Sequence, residues 1–125
     1  MSWQRSKILV VDDDPALLDY LQAKLGPRFH LVFTSRPAAV RELARREKPH
    51  LIVCDVDMPE LDGGDVSAAL YADDDTRDIQ LLFLTALASP QDIDQLSGQL
   101  GGRPAISKKA PYEQLLAAIE RLLKT

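Results

Sequence analysis

The chain has 125 residues, enough for one domain with its own core. Its composition is 46% apolar and 27% charged, with 15 Lys plus Arg against 19 Asp plus Glu for a net charge of -4, which excludes a disordered or fibrous chain and argues against bulk nucleic-acid binding. The lone Cys54 rules out an intramolecular disulfide or a cysteine-rich zinc site, and no apolar run approaches the roughly 20 residues of a membrane span.

Residues 1–6 read as a loose N-terminal extension, basic but without a signal-peptide core. Ile8-Leu9-Val10-Val11 follows as an uninterrupted apolar strand, the pattern of a strand covered on both faces. It stops at Asp12-Asp13-Asp14, and Asp14 with Pro15 makes a helix start, after which Leu17, Leu18, Leu21 and Leu25 recur at helical spacing until Gly26-Pro27. A second strand runs from His30 to Thr34. Ser35 is positioned to cap a helix that carries Val40, Leu43 and Ala44 inward and Arg41, Arg45 and Arg46 outward, closing at Lys48-Pro49.

Leu51-Ile52-Val53-Cys54 is the clearest strand, ending on Asp55. A loop over 56–64 leads to a short helix around Val66, Ala69 and Leu70, then to the acidic stretch 72–78. Leu81-Leu82-Phe83-Leu84 is a fourth strand ending at Thr85, and a helix is expected from Gln91 to Leu100, broken by Gly101-Gly102. A weak strand, Ala105 to Ser107, ends at Lys108, and a last helix from about Tyr112 to Lys124 aligns Leu115, Leu116, Ile119, Leu122 and Leu123. Five strand-then-helix units predict an α/β fold, a doubly wound (βα)5 parallel sheet with helices on both faces.

In such a sheet ligands bind beyond the carboxyl ends of the strands. The first polar residues after the apolar runs are Asp12 and Asp13, Asp55, Thr85 and Lys108, so the fold itself brings these five together. Two carboxylates 4 Å apart repel by about 4 kcal/mol at an effective dielectric near 20. Lys108 offsets only part of that, and a hard divalent cation such as Mg²⁺, which prefers oxygen ligands, suits the remainder. Asp55 is then placed as a nucleophile toward phosphorus, with Thr85 and Lys108 available to phosphoryl oxygens and the small Ala86 leaving room. Neither His30 nor His50 lies at a strand's carboxyl end to act as general base, which points to a stored phosphoryl group rather than turnover.

The segments Ile8-Leu9-Val10-Val11-Asp12-Asp13-Asp14-Pro15, Asp55-Val56-Asp57-Met58-Pro59-Glu60-Leu61-Asp62-Gly63, Leu84-Thr85-Ala86 and Lys108 together resemble a response-regulator receiver domain of two-component signalling. The resemblance spans the chain as one domain, 1–125, and implies the flavodoxin-like strand order 2-1-3-4-5, for which the receiver is itself a standard example. It further implies Asp55 as phosphoacceptor, Asp12 and Asp13 as the Mg²⁺-binding acidic pair, the backbone carbonyl of Asp57 as a further metal ligand, Thr85 as the hydroxyl that meets the phosphoryl group, and Lys108 as its cation. The implied partners are a sensor histidine kinase or a histidine phosphotransfer protein in a phosphorelay, and a downstream output protein or domain. Contact with nucleic acid or membrane is not expected; a homodimer is possible through the last strand and helix. The implied location is cytoplasmic, and the implied role is phosphoacceptor rather than enzyme.

The chain departs from that pattern at three points. Ala105 stands where receivers usually carry Tyr or Phe, Lys109 stands where Pro usually follows the lysine, and Thr85 and Lys108 are slightly further apart than is common. Side chains two positions beyond Asp55 and Thr85, namely Asp57 and Leu87, are expected to flank the path of water, with Leu87 shielding the phosphoryl group for minutes or longer. Two other readings compete. One is a pseudo-receiver that works by protein contact without phosphorylation. The other is an Asp-nucleophile phosphatase of the haloacid-dehalogenase type, suggested by Asp55-x-Asp57 but opposed by Pro59 and by the position after the third strand. Remaining candidates have plainer readings: His30 and His50 as surface residues, Cys54 as core, Asp73-Asp74-Asp75 as a solvated loop lacking EF-hand spacing, and the arginines of the second helix as a solvated face or, failing that, a dock for an acidic partner.

Overall fold

The computed structural model describes residues 5–58, 63–100 and 102–124. The chain order is β1 (Lys7–Val11), α1 (Pro15–Leu25), β2 (His30–Thr34), a 3-10 turn (Pro37–Ala39), α2 (Val40–Glu47), β3 (Leu51–Asp55), α3 (Gly63–Ala72), β4 (Gln80–Thr85), α4 (Pro90–Gln95), β5 (Gln99–Leu100), β6 (Arg103–Ser107) and α5 (Tyr112–Leu123). The sheet runs β2-β1-β3-β4-β6-β5. All pairings are parallel except β5 with β6.

Strand alternation divides the interior into two cores. Ile8 and Val10 of β1, Leu51 and Val53 of β3, and Leu82 and Leu84 of β4 face α1 and α5, where Leu21, Leu25 and Ile119 meet them. Leu9 and Val11, Ile52 and Cys54, and Leu81 and Phe83 point the other way, toward Val40 and Ala44 of α2, Leu70 of α3 and Ile93 of α4. With both faces covered, β3 is buried throughout, which explains the unbroken apolar run that marks it in the sequence.

The order expected from resemblance, 2-1-3-4-5, needs one correction. The fifth parallel strand is β6, and a two-residue antiparallel strand, β5, is added outside it, with Gln99 opposite Pro104 and Leu100 opposite Arg103. The helix expected over 91–100 is accordingly cut short at Gln95. Its start is well specified: the Ser89 side chain accepts from Asp92 N–H while the Asp92 carboxylate accepts from Ser89 N–H. Its end comes where Ser97 (φ 60°) and Gly98 (φ 73°) both enter the left-handed region, reversing the chain into β5.

Elsewhere the local chemistry follows the sequence, with one shift. Asp14 caps α1 by accepting from Ala16 N–H, with Pro15 in the first turn. Ser35 does not cap α2: Pro37 first opens a 3-10 turn, and α2 begins at Val40. The α3 end is held by Thr76, fully buried, whose hydroxyl donates to the Leu70 carbonyl at 2.7 Å. Among the described residues no helix is long and apolar enough to cross a membrane.

Candidate functional site

Parallel strands deliver their carboxyl ends to one edge of the sheet. There β1 ends just before Asp12, β3 ends on Asp55, β4 on Thr85, and β6 just before Lys108. Asp12 is 1% exposed, Asp55 3% and Thr85 4%, whereas Asp13 is exposed. One carboxylate oxygen from each of Asp12, Asp13 and Asp55 lies within 4.8 Å of the others.

Lys108 is the cation set against this cluster. Its Nζ stands 2.8 Å from Asp12 Oδ2 and 3.2 Å from Asp55 Oδ2. Burial alone would lower the Lys108 pKa, but close pairing with Asp12 and then with Asp55 outweighs it, and the net direction is upward. Asp55 is shifted upward too. Burial is the main cause and the Asp12 charge adds to it, against the Asp57 N–H, which donates to Asp55 Oδ1 at 2.8 Å, and against Lys108. Two of the three carboxylates thus share a single ammonium, with the third close beside them.

That imbalance is what a metal test must address. Asp12 Oδ1 accepts from Asp14 N–H at 2.9 Å, but the buried Oδ2 has no hydrogen bond; Lys108 is close enough for an ion pair yet off the line a hydrogen bond requires. A buried, under-coordinated carboxylate oxygen beside two further carboxylates is a hard, anionic, all-oxygen donor set. It fits Mg²⁺ by charge and by ligand type.

Thr85 is anchored from three directions. Its backbone carbonyl accepts from Lys108 N–H at 2.7 Å, its hydroxyl oxygen accepts from Leu87 N–H at 3.1 Å, and the hydroxyl donates to Asp57 Oδ1 at 2.9 Å. Asp57 Oδ2 accepts from Ala86 N–H. Next to it, the Ser107 hydroxyl donates to the Ala88 carbonyl at 2.6 Å, so the segment after β4 is bound to the end of β6 by side chain as well as backbone. Ala105, at the position expected to be aromatic in relatives, is buried and pairs with Phe83 in the β4–β6 ladder.

Among the sequence candidates, then, Asp12, Asp13, Asp55 and Lys108 come together, and Thr85 joins them through Asp57. The part that sequence reasoning missed is the Asp57 side chain, considered only for its carbonyl and as a neighbour of water. Leu87, expected to shield a phosphoryl group, is 84% exposed. Pro59 to Asp62, which carry part of the resemblance, lie outside the described residues. Cys54 is core, as expected. Its thiol donates to the Asp55 carbonyl at 3.6 Å, and burial, followed by the charges of Asp55 and Asp12, pushes its pKa up to about 12.

Three comparisons bear on identity. The family model described as "Response regulator receiver domain" matches residues 8–120. PilH of Pseudomonas aeruginosa is 32% identical over 120 residues, covering 94% of this chain and 98% of PilH. The response regulator PleD of Caulobacter vibrioides is 40% identical over 122 residues, covering 95% of this chain but 26% of PleD. Several transcriptional regulators also match, and the chain spans about half their length. The BeF3-activated N-terminal receiver domain of Klebsiella pneumoniae RstA superposes with a TM-score of 0.79 at 30% identity, covering 96% of this chain and 100% of that one. With its five parallel strands in flavodoxin-like order and an acidic cluster at their carboxyl ends, the chain belongs to the response-regulator receiver domain family.

Proposed function

We propose that this chain is a single phosphoryl-accepting receiver module in which Asp55 takes a phosphoryl group from a phosphohistidine partner. The observation that carries the reading is Asp55 itself, buried at the end of the central strand β3 and held by Lys108 Nζ at 3.2 Å with Asp57 N–H on its other oxygen. Burial strips water from the carboxylate and raises its basicity, which favours attack on phosphorus; Lys108 keeps it oriented. An Asp55 oxygen forms the new bond to phosphorus as the P–N bond breaks, its electron pair returning to the imidazole nitrogen of the donor.

Asp12, Asp13 and Asp55, with the Asp57 backbone carbonyl, would hold Mg²⁺. When bound, the ion offsets the negative charge gathered by the carboxylates and the phosphoryl oxygens. Lys108 stays paired with Asp12 and is within reach of charge that develops on the group joined to Asp55. Receiver domains are phosphoacceptors rather than classical enzymes, and this chain is read in that role.

A sensor histidine kinase or a histidine phosphotransfer protein would supply the phosphoryl group, and an output protein or domain would read the result. We expect no direct contact with nucleic acid or membrane. Added charge of about -1.5 to -2 at Asp55 is sufficient to bias a neighbouring loop without an aromatic at position 105. The test is intact-mass measurement after incubation with Mg²⁺ and a small acyl-phosphate donor. A gain of one phosphoryl group that is lost without Mg²⁺ and in Asp55→Asn is expected. Mg²⁺ binding without any gain would favour the pseudo-receiver, and absence of both would end the reading.

A further inference from the structure

The carboxylate of Asp57 is engaged in a way that phosphoryl transfer does not require. Its Oδ1 accepts from the Thr85 hydroxyl at 2.9 Å and its Oδ2 accepts from the Ala86 N–H, so one anion occupies both donors at the end of β4. The Thr85 hydroxyl has no second hydrogen to offer: its oxygen takes the Leu87 N–H at 3.1 Å, and its only proton points to Asp57. The same residue is tied at its backbone to the nucleophile, through Asp57 N–H to Asp55 Oδ1 at 2.8 Å. An anion is therefore already seated across the loop from Asp55, on a hydroxyl and a backbone N–H.

A phosphoryl group on Asp55 would be a dianion with three acceptor oxygens seeking donors of that same kind. It and the Asp57 carboxylate could not share one hydroxyl proton, and their charges repel at close range. Asp57 is only partly buried, so its side chain has solvent to move into. We propose that Asp57 is a positioning residue, a resident anion that holds Thr85 and Ala86 in place of the phosphoryl group and is displaced when Asp55 is occupied. This inference rests on the receiver reading of Asp55. It makes exchange of one anion for another at Thr85 and Ala86 the first event after transfer, in a chain whose residue 105 is alanine.

Beryllofluoride, which mimics a phosphoryl group on carboxylate without covalent chemistry, is the probe. Amide NMR titrations at saturating Mg²⁺ would compare the wild type with Asp57→Ala, Asp57→Asn and Asp55→Asn. Freed donors and one less negative charge should lower the half-saturating beryllofluoride concentration of Asp57→Ala about tenfold, the equivalent of roughly one charge-assisted hydrogen bond. Asp57→Asn, which keeps an acceptor but not the charge, should fall between and serves alone if the alanine variant does not fold. In protein without Mg²⁺ or probe, the Ala86 amide resonance should move upfield on loss of the carboxylate, a response that a merely structural role of residue 57 does not demand. Unchanged or weaker probe binding in both variants, or an Ala86 resonance that stays in place, overturns the inference. Failure of the underlying reading looks different: the wild type and Asp55→Asn would respond to the probe alike. The probe-free Ala86 resonance is read without reference to Asp55 occupancy, so the two failures separate.

Discussion

Two acidic triads among the described residues are built on opposite principles. Asp73, Asp74 and Asp75 are consecutive, lie in the turn after α3, and face arginines: Arg45 reaches Asp73 at 3.3 Å and Asp75 at 3.9 Å, Arg41 reaches Asp73 at 3.9 Å, and Arg77 reaches Asp74 at 2.9 Å. The outward arginines of α2 are thus partnered within the chain. Asp12 and Asp13 follow β1 and Asp55 ends β3, some forty positions later; Asp12 and Asp55 are buried and share Lys108. Closeness in sequence makes the first triad conspicuous and chemically quiet. Convergence in space leaves the second with charge that Lys108 alone does not compensate.

Removing the cation from each triad gives the sharpest contrast. Lys108→Met leaves two buried carboxylates without their shared cation, and chemical denaturation of the Mg²⁺-free protein should register a loss of about 3 kcal/mol. If the loss were no larger than that of an exposed ion pair, burial would not be what separates the triads. Mg²⁺ provides the next largest effect. Saturation at about 100 times the dissociation constant should add about 2.7 kcal/mol to wild-type stability. Charge neutralisation at 73–75 should leave that increment intact, while Asp12→Asn should reduce it.

Asp55→Asn should stabilise the Mg²⁺-free protein at neutral pH by about 1 kcal/mol, because one of two buried carboxylates crowded on a single ammonium is neutralised. Its pKa is raised in the folded state, so the folded chain binds its proton more tightly than the unfolded one does. Stability from this residue is present at low pH and is lost as pH rises through the elevated folded value, a slope that should vanish in the variant when denaturation is followed against pH. Smallest is Arg45→Ala, where the arginine itself is half exposed. A loss within about 0.5 kcal/mol, further reduced by salt, is expected from the same denaturation measurement.

Legibility in the sequence followed the same division between local and convergent features. Apolar runs that stop abruptly at Asp12, Asp55 and Thr85 announce both the strands and the site, because a doubly covered parallel sheet turns each strand end into a site position. The short β5 was not legible, since two residues carry no periodicity and the turn into it depends on Ser97, a non-glycine at φ 60°. The Asp57 side chain was missed for a different reason. Its partners, Thr85 and Ala86, lie 28 and 29 positions away, and only the packing of β4 against β3 brings the two loops together.

Cys54 lies one residue before Asp55, its thiol held near pKa 12 and shut off from solvent. An alkylating reagent at neutral pH therefore finds neither access nor thiolate in the closed protein, and labels it only when the centre of the sheet comes apart. The chain thereby carries its own clock for opening: when opening and reclosing are fast, the labelling rate reports the fraction of time β3 stands exposed. Since the clock adjoins the acidic cluster, any ligand that binds only the closed form slows it by the factor 1 + [L]/Kd, so occupancy of the site can be read from a single sulfur atom.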